Sequence, residues 1–164
     1  MKKYVKIILY TYPFLKTVEK DYEEHIEIKA LLSYDNGQTA EQTAEYLAKE
    51  IIEMHRLEWL KGKVECAMQK LSDEEKLLVE IKYFGNKRKL KALLKKEIPS
   101  KKEWTERSYF RKQKRLEERL GSLFTAIGIT EDKYRRELAD LDVVVKVAKA
   151  VERQERRKNQ PSVS

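Results

Sequence analysis

A chain of 164 residues with 41% apolar and 39% charged side chains can bury a core while keeping long helical faces exposed, and its five glycines and three prolines are too few for a turn-rich β fold. A single cysteine, Cys66, excludes an internal disulfide and cannot build a zinc site, which points to a reducing, cytoplasmic compartment. No apolar run approaches the roughly 18 residues of a membrane span. The opening MKKYVKIILYTYPFL is broken by Lys6, Tyr10 and Tyr12 and lacks a small-residue cleavage site, so it does not read as a signal peptide.

Along the chain, Val5, Ile8, Tyr12, Leu15, Val18, Tyr22, Ile26 and Ala30 recur every three or four residues. They predict one face of a helix over about residues 3–33. Pro13 removes an N–H inside that pattern and predicts a kink or a break, with Thr11 able to cap a restart. The run Ser33–Gln38, with Asn36-Gly37 inside it, reads as a turn. Thr39 and Gln42 have the spacing of a capping box. A second long helix follows, with apolar positions Ala40, Ala44, Leu47, Ile51, Met54, Leu57, Leu60, Val64, Ala67 and Leu71, close to a heptad pattern. Two such helices joined by a short turn predict an antiparallel hairpin over residues 1–71, for dimerisation or partner contact; a homodimer is allowed but not required.

Ser72 and Glu75 form a second capping-box pattern, opening a helix with Leu77, Leu78, Ile81 and Phe84 that should stop near Gly85. A short helix over Asn86–Leu94 and a loop around Pro99 are expected next. Thr105 can cap a further helix to about residue 120, and Gly121 and Gly128 bracket a short apolar piece. Thr130 can cap a last helix, with Glu131 and Asp132 placed against its dipole and Leu138, Leu141, Val144 or Val145, and Ala148 as its inner face. Residues 72–128 thus form a second unit and 129–151 a C-terminal packing helix. Residues 152–164 turn to charge and then NQPSVS, which reads as a disordered tail.

The charge is concentrated. Residues 87–115 carry thirteen Lys/Arg against three acids, a net +10 in 29 residues, while the whole chain is +8, so the other 135 residues sum to −2. A polyanion is the natural partner, with counterion release supplying affinity. Trp104, Tyr109, Leu116 and Leu120, with Gln113, can form a packing stripe, while Arg107, Arg111, Lys114 and Arg115 fall on the opposite face. Such a helix suits the DNA major groove.

The segments LSDEEKLLVEIKYFG and WTERSYFRKQKRLEERL together resemble the helix-turn-helix of the C-terminal, promoter-reading domain of bacterial sigma factors. They are similar also to the small regulators carried by phages and mobile elements of Firmicutes. The likeness covers about 50 residues, from Leu71 to Leu120. It departs from the pattern in a lysine-rich second helix and in a link of about ten residues through Pro99. No segment resembles the domain with which sigma factors melt DNA, so the resemblance implies a regulator or accessory factor of RNA polymerase. On it, Arg107, Ser108, Arg111 and Arg115 are expected to read base edges. Lys87, Arg88, Lys89, Lys95, Lys96, Lys101, Lys102, Lys112 and Lys114 are expected to contact phosphates.

Rival readings are a helical adaptor or assembly protein, such as a DNA-packaging subunit, whose basic face meets an acidic partner, and an RNA binder. Enzymatic readings find no support. His25 and His55 stand apart on long helices, Cys66 has no neighbouring histidine, and no phosphate-binding Gly-rich loop, HExxH or GxSxG occurs. No cofactor, metal or membrane is expected. Trp59 and Trp104 read as packing anchors.

Overall fold

The computed structural model describes residues 1–85, 88 and 104–161, and every element among them is helical. Helix α1 runs Lys3–Asp35, α2 Ala40–Gln69, α3 Asp73–Lys82 and α4 Glu106–Ala126. A short α5, Glu131–Lys133, continues into a π-helical turn, Tyr134–Leu138, and α6 runs Asp142–Asn159. None of the described helices is long and apolar enough to cross a membrane. The short helix expected over Asn86–Leu94 and the loop around Pro99 lie outside the described residues, except Arg88, which is helical and exposed.

The starts of α2 and α3 follow side-chain chemistry. Thr39 and Ser72 each accept the third backbone N–H of their helix, while Gln42 and Glu75 reach back to the cap N–H, so two orphan donors are satisfied at each end. α1 and α2 lie side by side in opposite directions. Tyr12 donates to Glu65, Lys61 to Glu19, Tyr22 to Glu53 and Lys29 to Glu50, so numbers on α2 fall as those on α1 rise.

The first half of α1 is the hub of the core. Tyr4, Val5, Ile7, Ile8, Leu9, Thr11 and Leu15 are buried on more than one side of the helix. α2, α4 and α6 all pack against α1. Beyond them, Tyr4 donates to the Ile129 carbonyl at 3.3 Å, and Tyr10 meets Tyr83 edge-on at 5.0 Å. One apolar cluster extends from Tyr4 to Val151.

Four expectations are corrected. α1 is not broken at Pro13, and Thr11 does not cap a restart: its buried hydroxyl donates 2.7 Å to the Ile7 carbonyl. The helix persists because Leu9 and Leu15, on either side of the proline, are held in the core. α4 likewise runs straight through Gly121 to Ala126. Burial of Leu120 and Phe124 outweighs the roughly 1 kcal/mol that a helical glycine costs. The last helix is divided: α5 and its π turn end at Leu138, and Leu141 is extended before α6 begins. Both leucines are buried there, and no glycine or proline marks the break. Finally, Glu152–Asn159 is helix. Lys3 and Lys6 pair with Glu152 and Glu155, and Arg156, Arg157 and Lys158 sit at the negative end of the helix dipole.

Candidate nucleic-acid interface

The candidate interface lies on α4. Thr105 caps the helix: its Oγ1 accepts the Ser108 N–H at 3.1 Å. The back of the helix is anchored through Tyr109, Gln113, Leu116, Leu120 and Phe124, all buried. Gln113 takes a hydrophobic position in this stripe. Its Nε2 donates to the Leu78 carbonyl at 2.9 Å and to the Tyr109 hydroxyl at 3.0 Å.

α3 clamps α4 from the side. Lys82 pairs with Glu117, and Tyr83 donates to the same carboxylate at 3.3 Å. Burial alone would raise the Glu117 carboxyl, but Lys82 and Tyr83 more than offset it and hold the group below its ordinary value. Farther along, Arg119 pairs with Glu75 and donates to the Lys70 carbonyl.

The opposite face is open. Arg107, Arg111, Lys114 and Arg115 are all exposed, and no ion pair neutralises them among the described residues. At 3.6 residues per turn they fall within about 100° of the helix circumference. Glu118, also exposed, enters the same arc one turn past Lys114. The uninterrupted cationic surface is therefore the first half of α4, the half nearest the positive end of the helix dipole.

Two expected contacts have other partners. Ser108 completes the cap: its Oγ accepts the Thr105 N–H and donates to the Thr105 carbonyl, both at 2.9 Å. Lys112 pairs with Glu74 and lies 4.2 Å from the centre of the buried Trp104 ring, so it braces α4 against α3. Arg88 is exposed. Lys87, Lys89, Lys95, Lys96, Lys101 and Lys102 lie outside the described residues. Charge patterning does not single out Phe110, which is 61% exposed and sits one turn from both Arg107 and Lys114. Its spacing from those two carried the signal.

Elsewhere, His25 lines an open groove of about 880 Å³ between α1, α2 and α6, together with Phe14, Val18, Val143 and Val147. His55 borders a separate hollow beside Trp59. Trp59 is half-buried, with Lys133 4.6 Å from its ring centre. Among the described residues, Glu19, Glu23 and Glu58 bring carboxylate oxygens within 4.8 Å of one another. Glu19 is already paired with Lys61 and the other two are exposed, so the group reads as a solvated acidic cluster.

Comparison with known protein families, with curated proteins and with solved structures finds no match to this chain.

Proposed function

We propose that the chain binds double-stranded DNA sequence-specifically through a sigma-like helix-turn-helix, with α4 as recognition helix, and acts as a transcriptional regulator or RNA polymerase accessory factor of a phage or mobile element. In this reading the α1–α2 hairpin is a partner-contact or dimerisation arm, α3 to α4 is the reading unit, and α5 and α6 close the bundle. One observation carries it. Arg107, Arg111, Lys114 and Arg115 share one open arc of a helix whose other side is fixed in the core. A rigid mount matters because a guanidinium can hold a guanine edge with two bonds only if its backbone is positioned beforehand. Placement of the open arc on the first half of α4 fits recognition helices that read bases with their N-terminal residues.

Selection of bound fragments from a random duplex pool, followed by salt titration, tests the proposal. A recovered motif and a steep log–log salt dependence for duplex support it. Equal affinity for single strands or RNA favours the RNA-binding reading. Absence of any nucleic-acid binding at about 100 mM salt favours an adaptor that receives an acidic protein on the same face.

A further inference from the structure

The far end of the α1–α2 pair projects beyond the core and carries a second, oppositely charged surface. Ile28, Leu31 and Leu32 on α1 are 57%, 66% and 56% exposed, and Tyr34 and Tyr46 beside the turn are 81% and 55% exposed. Single exposed apolar residues are ordinary, but a run on one end of a helical pair marks a contact surface. Carboxylates are interleaved with it: Glu24 lies one turn from Ile28, and Glu27 and Asp35 each lie one turn from Leu31. All three acids are exposed, without an ion pair among the described residues. Over residues 19–50 nine carboxylates face three lysines, a net −6.

That charge selects the occupant. Two such tips brought together by a two-fold axis would set like charges against each other, which costs free energy. A cationic surface with an apolar centre is the complement, and the molecule carries one: Phe110 on α4, flanked by Arg107, Arg111 and Lys114. A molecule cannot close on itself this way. α4 lies against the first part of α1, where Tyr83, hydrogen-bonded to Glu117 of α4, packs edge-on against Tyr10. The first exposed apolar residue of the tip, Ile28, lies eighteen residues past Tyr10, about 27 Å farther along a continuous helix at 1.5 Å per residue.

We propose that the acidic tip of one molecule docks on the cationic face of α4 in a second copy, so that the chain self-associates head to tail. Such a contact is heterologous and can repeat into longer assemblies. It covers the face assigned to DNA, so duplex and a second copy compete for it; this competition rests on the reading of α4 above, whereas the self-association does not.

Sedimentation velocity of the full chain tests the contact. At about 50 mM salt the sedimentation coefficient should rise with protein concentration, and at about 500 mM it should fall to that of a monomer, as screening removes the attraction. Glu24→Lys with Glu27→Lys, and separately Arg111→Glu with Arg115→Glu, should each be monomeric at low salt. An equimolar mixture of the two should associate again, because each reversed surface then finds its complement. All these positions are exposed, and circular dichroism verifies that the variants retain helix. If charge reversal lowers helicity, Glu24→Gln with Glu27→Gln should still weaken association several-fold. A wild-type chain that stays monomeric at low salt overturns the proposal. So does a face variant that associates as well as wild type, which would indicate tip-to-tip pairing. Association that persists while duplex DNA neither binds nor disperses it would retain the contact and remove the DNA reading.

Discussion

Gln113 donates its side-chain N–H to the main-chain carbonyl of Leu78, and through that bond α4 is held at a fixed height on α3. The carbonyl oxygen of the Gln113 side chain is buried without a hydrogen-bond partner among the described residues. The residue therefore gains one interaction and suffers one deficit. Gln113→Ala should cost about 2 kcal/mol in urea denaturation, from the lost bond and the cavity. Gln113→Leu should cost less than half as much, because it fills the space and removes the unpartnered oxygen too. Equal losses for leucine and alanine would show that the bond, absent in both, outweighs the volume.

The cationic face should separate into readers and anchors. Arg111→Ala is expected to weaken binding to a selected site by about 1–3 kcal/mol and to relax preference at one base position. Lys114→Ala should weaken all duplexes alike and reduce the log–log salt slope by about 1. Fluorescence anisotropy with selected and scrambled duplexes distinguishes the two. Identical effects from both substitutions would argue that α4 reads charge alone.

The tyrosines predict alkaline behaviour. Burial, reinforced by nearby carboxylates, raises the Tyr22 and Tyr83 phenols well above their ordinary 10.0, and burial raises Tyr10, Tyr109 and Tyr134 as well. A raised folded value means that the folded chain keeps its protons when the unfolded chain has begun to lose them. The stabilisation is complete below pH 10 and is lost as pH rises through the folded values. Phenolate absorbance should therefore lag behind that of free tyrosine and then appear together with loss of helical ellipticity. Glu117 behaves oppositely. Its carboxyl is held below 4.5, so its contribution is present above that pH and disappears as pH falls through the lowered value. Glu117→Gln should make the acid limb of stability shallower.

Pro13 is exposed and interrupts the hydrogen-bond ladder of α1. Pro13→Ala should raise the melting temperature, with a gain of about 1–3 kcal/mol, if the proline does nothing but remove a bond. A lower melting temperature would mean that the local geometry at the proline is needed to seat Leu9 and Leu15 together.

Four helix starts were legible in the sequence because a cap is local chemistry. Thr39, Ser72, Thr105 and Thr130 each stand immediately before a helix. Helix ends were less so. Gly121 and Pro13 looked like punctuation, yet the packing of Phe124 and Leu15 carries the helices through them, and that packing depends on residues far away in the chain. The break between Leu138 and Asp142 has no local signal at all. For the interface, periodicity separated the buried stripe from Arg107, Arg111, Lys114 and Arg115. It could not show that Lys112 is taken by Glu74, because that partner comes from another helix. Ser108 stands at cap spacing from Thr105, and its hydroxyl completes that cap.

Because the opening half of α1 lies beneath helices that come later, it cannot reach its final surroundings during early translation. Residues 4–15 leave the ribosome well before Val144 and Val151, which complete the same cluster more than a hundred positions later. A nascent chain stalled before α6 would present an oily, half-wrapped rod, a ready substrate for chaperones and proteases.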